Sequence, residues 1–249
     1  MTKTVSVGDR FETNHGWCEI IEYIDCSNVW IRFEETNYET KCNSSNLRKG
    51  NIRDLYYRSV FDVGYFGTGP YKKRDNTNRY MNWYNMLTRC YCPKSLAKCP
   101  TYKGCYVHSK FQCYQDFATW HNDQYCSNLP RSQLDKDLLF KHNKIYSPRR
   151  SILLPYQVNS LLCKADNIRG EYFIGVSKNK IKGLKKPYTG HCCTLEGVKT
   201  KTFVSEINAF NWYKKTKEQN IKNIADLYKD VLDPRAYLAL LNYRVEITD

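Results

Sequence analysis

Between residues 7 and 66 apolar side chains recur at alternate positions in short bursts, separated by turn-forming residues. Arg10-Phe11-Glu12-Thr13 runs into Asn14-His15-Gly16, and residues 17–24 and 29–33 follow with a broad alternation of apolar and polar positions. A period of two puts successive side chains on opposite faces of a strand, so these segments predict short strands roughly ten residues apart. A turn near Asn37 and the polar cluster Asn43-Ser44-Ser45-Asn46 complete a pattern expected for a small SH3-like β-barrel.

The period lengthens from Tyr80 onward. Trp83, Met86, Leu87 and Cys90 lie at helical spacing, as do Phe111, Tyr114, Phe117, Ala118 and Trp120, which predicts two short helices around a cysteine-rich loop. A β-hairpin and a helix are expected over residues 134–163. Three strands follow, over 171–177, 188–195 and 199–204. Ser205 then opens a helix whose apolar positions include Phe210, Tyr213, Ile221, Ile224, Ala225 and Tyr228. Asp233-Pro234 stops it, and a short helix over 236–241 and a terminal strand over 243–247 finish the pattern. The chain therefore reads as α+β in three parts, 1–70, 71–163 and 164–249. The glycine-rich stretch around Gly64, Gly67 and Gly69 marks a loop; it lacks the Lys-Ser/Thr ending and following apolar helix of a phosphate-cradling loop.

Charge divides these parts further. Residues 1–60 carry 8 Lys/Arg against 9 Asp/Glu, whereas residues 164–222 carry 13 against 5, so the net charge of +14 is concentrated towards the carboxyl end. That distribution favours a polyanionic partner. The amino terminus lacks an apolar signal segment and no run is long enough to cross a bilayer, which predicts a cytoplasmic protein without a membrane partner. In that compartment the twelve cysteines read as reduced thiols or metal ligands rather than disulfides.

The densest chemistry lies in Leu134-Asp135-Lys136-Asp137, His142-Asn143 and Ile152 to Asn159. Two carboxylates, an imidazole and carboxamides form the mixture from which a small nuclease builds one magnesium site and a general base. The stretch resembles the HNH nuclease motif, in which two strands and a helix hold one divalent ion. Lys136-Asp137 matches the Lys-Asp of that motif, Asn143 falls in its turn, Ile152 matches its Leu and Asn159 its final Asn. Leu134-Asp135 stands where two histidines are expected, and Ser151 where a metal-binding Asn is expected. The resemblance implies a Mg²⁺ site at Asp135 and Asp137 with His142, Asn143 and Asn159 nearby, either rearranged for cleavage or retained as fold alone.

A second resemblance runs through Arg169-Gly170-Glu171-Tyr172-Phe173-Ile174-Gly175-Val176, Tyr188, Thr202-Phe203 and residues 206–213. It is to the APETALA/ethylene-response DNA-binding domain, a three-stranded sheet packed on a helix. That resemblance implies double-stranded DNA as partner, contacted by Arg169, Lys178, Lys180, Lys182, Lys185, Lys186 and Tyr188. The competing reading of the lysines is a solvated hairpin tip. Phe203, Phe210 and Tyr213 are expected as core. Cys90, Cys92, Cys99, Cys105, His108 and Cys113 form a third group with the ligand types of a zinc site, of which only Cys105 and His108 have an ordinary pair spacing. The order of the two resemblances matches phage-encoded HNH homing endonucleases. Two functions stay open: a DNA-nicking enzyme, or an inactive binding module acting in the infected host on DNA or on a host protein.

Overall fold

The computed structural model describes residues 5–163 and 171–248. It is mixed α+β, with several separate sheets. The described residues divide into two compact units, one drawn from 5–120 with 144–147 and the other from 121–143 with 148–163 and 171–248.

The first unit opens with an antiparallel sheet in the order β1 (Arg10–Thr13), β2 (Gly16–Asp25), β3 (Asn28–Phe33) and β4 (Glu39–Cys42). Alternation buries Cys18, Ile20, Val29, Ile31 and Phe33 on one face. The register between β2 and β3 slips after Ile20 and again after Tyr23, and beyond these irregularities residues 22–25 point to solvent. The expected closed barrel does not form: β1 and β4 remain the edges of an open sheet. Its core is completed instead by α1 (Ser44–Arg48), which begins in the polar cluster Asn43-Ser44-Ser45-Asn46. Asn43 caps that helix by accepting from the Asn46 N–H at 2.7 Å, and Leu47 is driven completely into the core.

The helical part is built on α2 (Thr77–Tyr91), capped by Asn76, and on α5 (Tyr114–Asn122). Trp83, Met86, Leu87, Phe111, Tyr114, Phe117 and Ala118 are fully buried. The Trp83 indole N–H donates to the Phe111 carbonyl at 2.8 Å, which lets an amphipathic ring sit in an apolar core without an orphaned donor. Between the two helices lie α3 (Pro93–Lys98), β5 (Tyr106–Val107) and α4 (Ser109–Gln112). β5 pairs in parallel with β7 (Ile145–Tyr146).

The second unit contains β6 (Gln133–Asp135) paired antiparallel with β8 (Ile152–Leu154), followed directly by α6 (Tyr156–Leu162). It continues with the antiparallel sheet β11-β10-β9, formed by β9 (Val176–Lys178), β10 (Tyr188–Thr194) and β11 (Gly197–Phe203). α7 (Glu206–Leu227) and α8 (Pro234–Leu241) follow, capped by Ser205 and Asp233. One core joins Ile152, Leu154 and Val158 to Ile221, Ile224 and Ala225 of α7 and to Ala236 and Leu240 of α8. A second core packs Cys192, Phe210, Tyr213 and Val245 with Phe173 and Val176.

Two expected strands differ. The one expected over 171–177 is reduced to β9, because Gly175 adopts φ +73° and a Cβ there would lie 2.2 Å from the Tyr213 ring. Close packing of the helix on the sheet imposes that bend. The terminal strand expected over 243–247 is absent: residues 243–246 have no regular structure, and the Val245 N–H is taken by the Glu218 carboxylate at 2.9 Å rather than by a strand.

Candidate nucleic-acid interface and nuclease-like motif

Around β6 the side chains are engaged in holding a loop. Asp135 accepts from the N–H groups of Asp137 at 2.9 Å and Leu138 at 2.7 Å, turning the chain as it leaves the strand. Burial raises the Asp135 carboxyl above the usual carboxylate range, against the lowering effect of the Leu138 N–H. The buried Lys136 ammonium donates to both Asp137 oxygens at 2.7 Å and to the Asn143 carbonyl at 2.6 Å. In return the Asn143 amide donates to the Lys136 carbonyl at 2.8 Å. Lys136 and Asn143 thus clamp both ends of the loop between them.

His142 is exposed on that loop, with φ 61°. Asn159 on α6 donates to the Gln133 side chain at 2.6 Å, a bond that ties the helix to the start of β6. Ser151, where the nuclease pattern has a metal-binding Asn, is fully buried. Asp135, Asp137 and Asn143 are therefore neighbours through backbone turns, whereas Asn159 is engaged with Gln133. Among the described residues no group of three or more His, Cys, Asp or Glu side chains is placed to share a metal.

The same holds for the cysteine-rich group. Cys90, Cys105 and Cys113 are buried while Cys92 and Cys99 are half-buried, and no disulfide is formed. The Cys113 thiol lies against the Phe66 carbonyl, and burial raises its pKa. His108 caps α4, accepting through Nδ1 from the Lys110 N–H at 3.2 Å.

The sheet of the second unit has two unlike faces. Its register pairs Gly190 with Val176 and Lys201, and Cys192 with Lys199. Gly190 and Cys192 are buried against α7, and a Cβ on Gly190 would stand 2.6 Å from the Trp212 ring. Residues of opposite parity, Ser177, Thr189, His191, Cys193, Val198, Thr200 and Thr202, share the open face. Ser177 Oγ and His191 Nε2 are 2.7 Å apart there. This row of short hydroxyl side chains with one imidazole was signalled only by the alternation of Thr200 and Thr202 with Lys199 and Lys201.

Lys178 and Tyr188, expected as DNA contacts, have the parity of the helix-facing residues, with the Lys178 ammonium 5.3 Å from the Tyr188 ring centroid. Lys180, Lys182, Lys185 and Lys186 are exposed on the loop between β9 and β10. Arg169 lies outside the described residues. From 171 to 203 there are seven lysines against Glu171 and Glu196, so this module has a strongly positive local balance. Glu196 is engaged by Lys199 at 2.7 Å, away from the β9–β10 loop.

Comparison with known proteins finds no matching family model, no matching curated protein and no matching solved structure. Among the described residues no helix is long and apolar enough to cross a membrane.

Proposed function

We propose that this chain is a double-stranded DNA-binding protein of HNH-nuclease descent, gripping the duplex with the β9-β10-β11 sheet and its β9–β10 loop. The observation that carries the reading is the pairing of an open sheet face rich in hydroxyl side chains with an adjoining loop of exposed lysines that contains no carboxylate. Short side chains allow a sheet to approach the major groove closely, where Ser and Thr hydroxyls reach phosphates or base edges. The lysines supply the phosphate contacts and most of the affinity. The antiparallel β6–β8 pair followed at once by α6 supports nuclease descent. The role proposed is regulatory, on phage or host DNA.

The nicking alternative requires Mg²⁺ at Asp135 and Asp137. Both carboxylates already have partners, Asp135 in the turn and Asp137 on Lys136, which favours the binding module over the enzyme. The test is a supercoiled plasmid incubated with Mg²⁺ or Mn²⁺. The expected result is a retarded but intact plasmid, with Asp137→Asn, which keeps an acceptor for Lys136, behaving as wild type. Metal-dependent nicking abolished by Asp137→Asn would establish the enzyme instead.

A further inference from the structure

The β9–β10 loop carries more than charge. The Asn179 N–H donates to the Pro187 carbonyl at 2.8 Å and closes the loop at its base, and the Ile181 N–H donates to the Asn179 side chain at 3.0 Å. Gly183 turns the tip with φ +81°, and nothing lies within 4 Å of where its Cβ would be, so the tip stands clear of the module. On either side of it Ile181 is 66% exposed and Leu184 41% exposed. Single exposed apolar residues are ordinary on protein surfaces. Two aliphatic side chains on a pinned tip, interleaved with Lys180, Lys182, Lys185 and Lys186, are a different arrangement.

The neighbouring hairpin provides the contrast. Leu195 and Val198 are also exposed at the β10–β11 turn, but Glu196 sits between them and is paired with Lys199, so charge there is offset. Of these two turns, the β9–β10 loop is the one that combines an apolar pair with uncompensated positive charge. Side chains of this kind unstack a base step when driven between bases, provided cations hold the flanking phosphates, and the duplex then kinks.

We infer that Ile181 and Leu184 form an apolar wedge that enters the minor groove and bends the DNA, the lysines around them holding the phosphate strands on either side. The inference rests on the proposed DNA-binding reading. A lipid surface also accepts basic and apolar side chains together, but five of the seven residues on the adjoining open face, Ser177, Thr189, His191, Thr200 and Thr202, offer hydrogen-bonding groups, which phosphates and base edges use and acyl chains do not.

The experiment uses the full chain with duplexes of about 20–30 base pairs carrying a donor and an acceptor dye at their ends, one with a central TA step and one with a stiff A-tract. Wild type is expected to bring the ends of the TA duplex together by a bend of about 20–90°, and to prefer it to the A-tract by about tenfold. The variant I181S/L184S is expected to bind with unchanged salt dependence, to leave the ends apart and to lose the preference. I181M/L184M, which keeps two apolar side chains, is expected to bend as wild type does. Binding without bending, or equal bending by I181S/L184S, would overturn the wedge and leave the DNA-binding reading intact. Absence of any duplex binding at low salt would overturn both. Uptake by phosphatidylserine vesicles that is lost in I181S/L184S, with no duplex binding, would assign the loop to a membrane surface.

Discussion

At Lys136 a buried ammonium donates to the half-exposed Asp137 carboxylate and to the carbonyl of the buried Asn143, so its removal takes a charged donor from both. Lys136→Met should therefore destabilise the second unit by about 1.5–3 kcal/mol, the net worth of hydrogen bonds made by a charged group. The measurement is the denaturant midpoint, and an unshifted midpoint would show the clamp to be dispensable. Asp135 gives a pH prediction of definite sign. Burial holds its folded-state pKa above the ordinary value of 3.8, so its protonated form favours the folded chain. That contribution is fully present below the unfolded pKa and is lost as pH rises through the raised value. Asp135→Asn keeps an oxygen for the Asp137 and Leu138 N–H groups and removes the titration. Thermal melts taken from about pH 4 to pH 7 should show the variant gaining on wild type as pH rises. Thiol chemistry follows burial in the same way: burial pushes the Cys18 and Cys126 thiols up to about 11, while Cys26, Cys163 and Cys193 are exposed. Alkylation of the native protein should modify the exposed three first, and early labelling of Cys18 or Cys126 would contradict the fold around them.

At the scale of elements, the β10–α7 contact decides whether the β9-β10-β11 sheet keeps its shape. Gly190 leaves no space for a methyl group, since its Cβ would meet both the Trp212 ring and the Ala209 carbonyl. Gly190→Ala should cost about 1–3 kcal/mol by overpacking. It should also weaken DNA binding, because the sheet must lift off the helix to make room. Equilibrium unfolding followed by binding at matched folded fraction separates the two effects, and an undisturbed variant would mean that α7 does not set the position of the sheet.

For the whole molecule the governing quantity is the uneven distribution of charge. Each phosphate contact on duplex DNA releases condensed counterions and contributes about −0.9 to the slope of log K against log salt. Replacing Lys180, Lys182, Lys185 and Lys186 together by Ala should flatten that slope by about 3–4 if each lysine serves one phosphate. Fluorescence anisotropy across a salt series reads this directly, and an unchanged slope would remove the loop from the interface. Loss of slope in this variant and loss of bending in I181S/L184S are separate expectations, so charge and wedge are distinguishable in one protein.

Periodicity by itself determined the α+β class, the strands at residues 10–33, the Trp83 helix and the long helix opened by Ser205, because these depend on local spacing and on caps that lie within a few residues. Phe210 and Tyr213 were likewise legible as core. Tertiary structure decided the rest. The first sheet keeps open edges and completes its core with Leu47 of α1, and the shortening of the first strand of the second sheet follows from the Tyr213 ring against Gly175. The nuclease-like residues changed meaning most: Asp135, Asp137, Asn143 and Asn159 were legible as chemistry from their types. Their engagement with backbone N–H groups, Lys136 and Gln133 depends on side-chain directions and on pairs brought together across the loop and the β6–α6 packing, which no local pattern encodes.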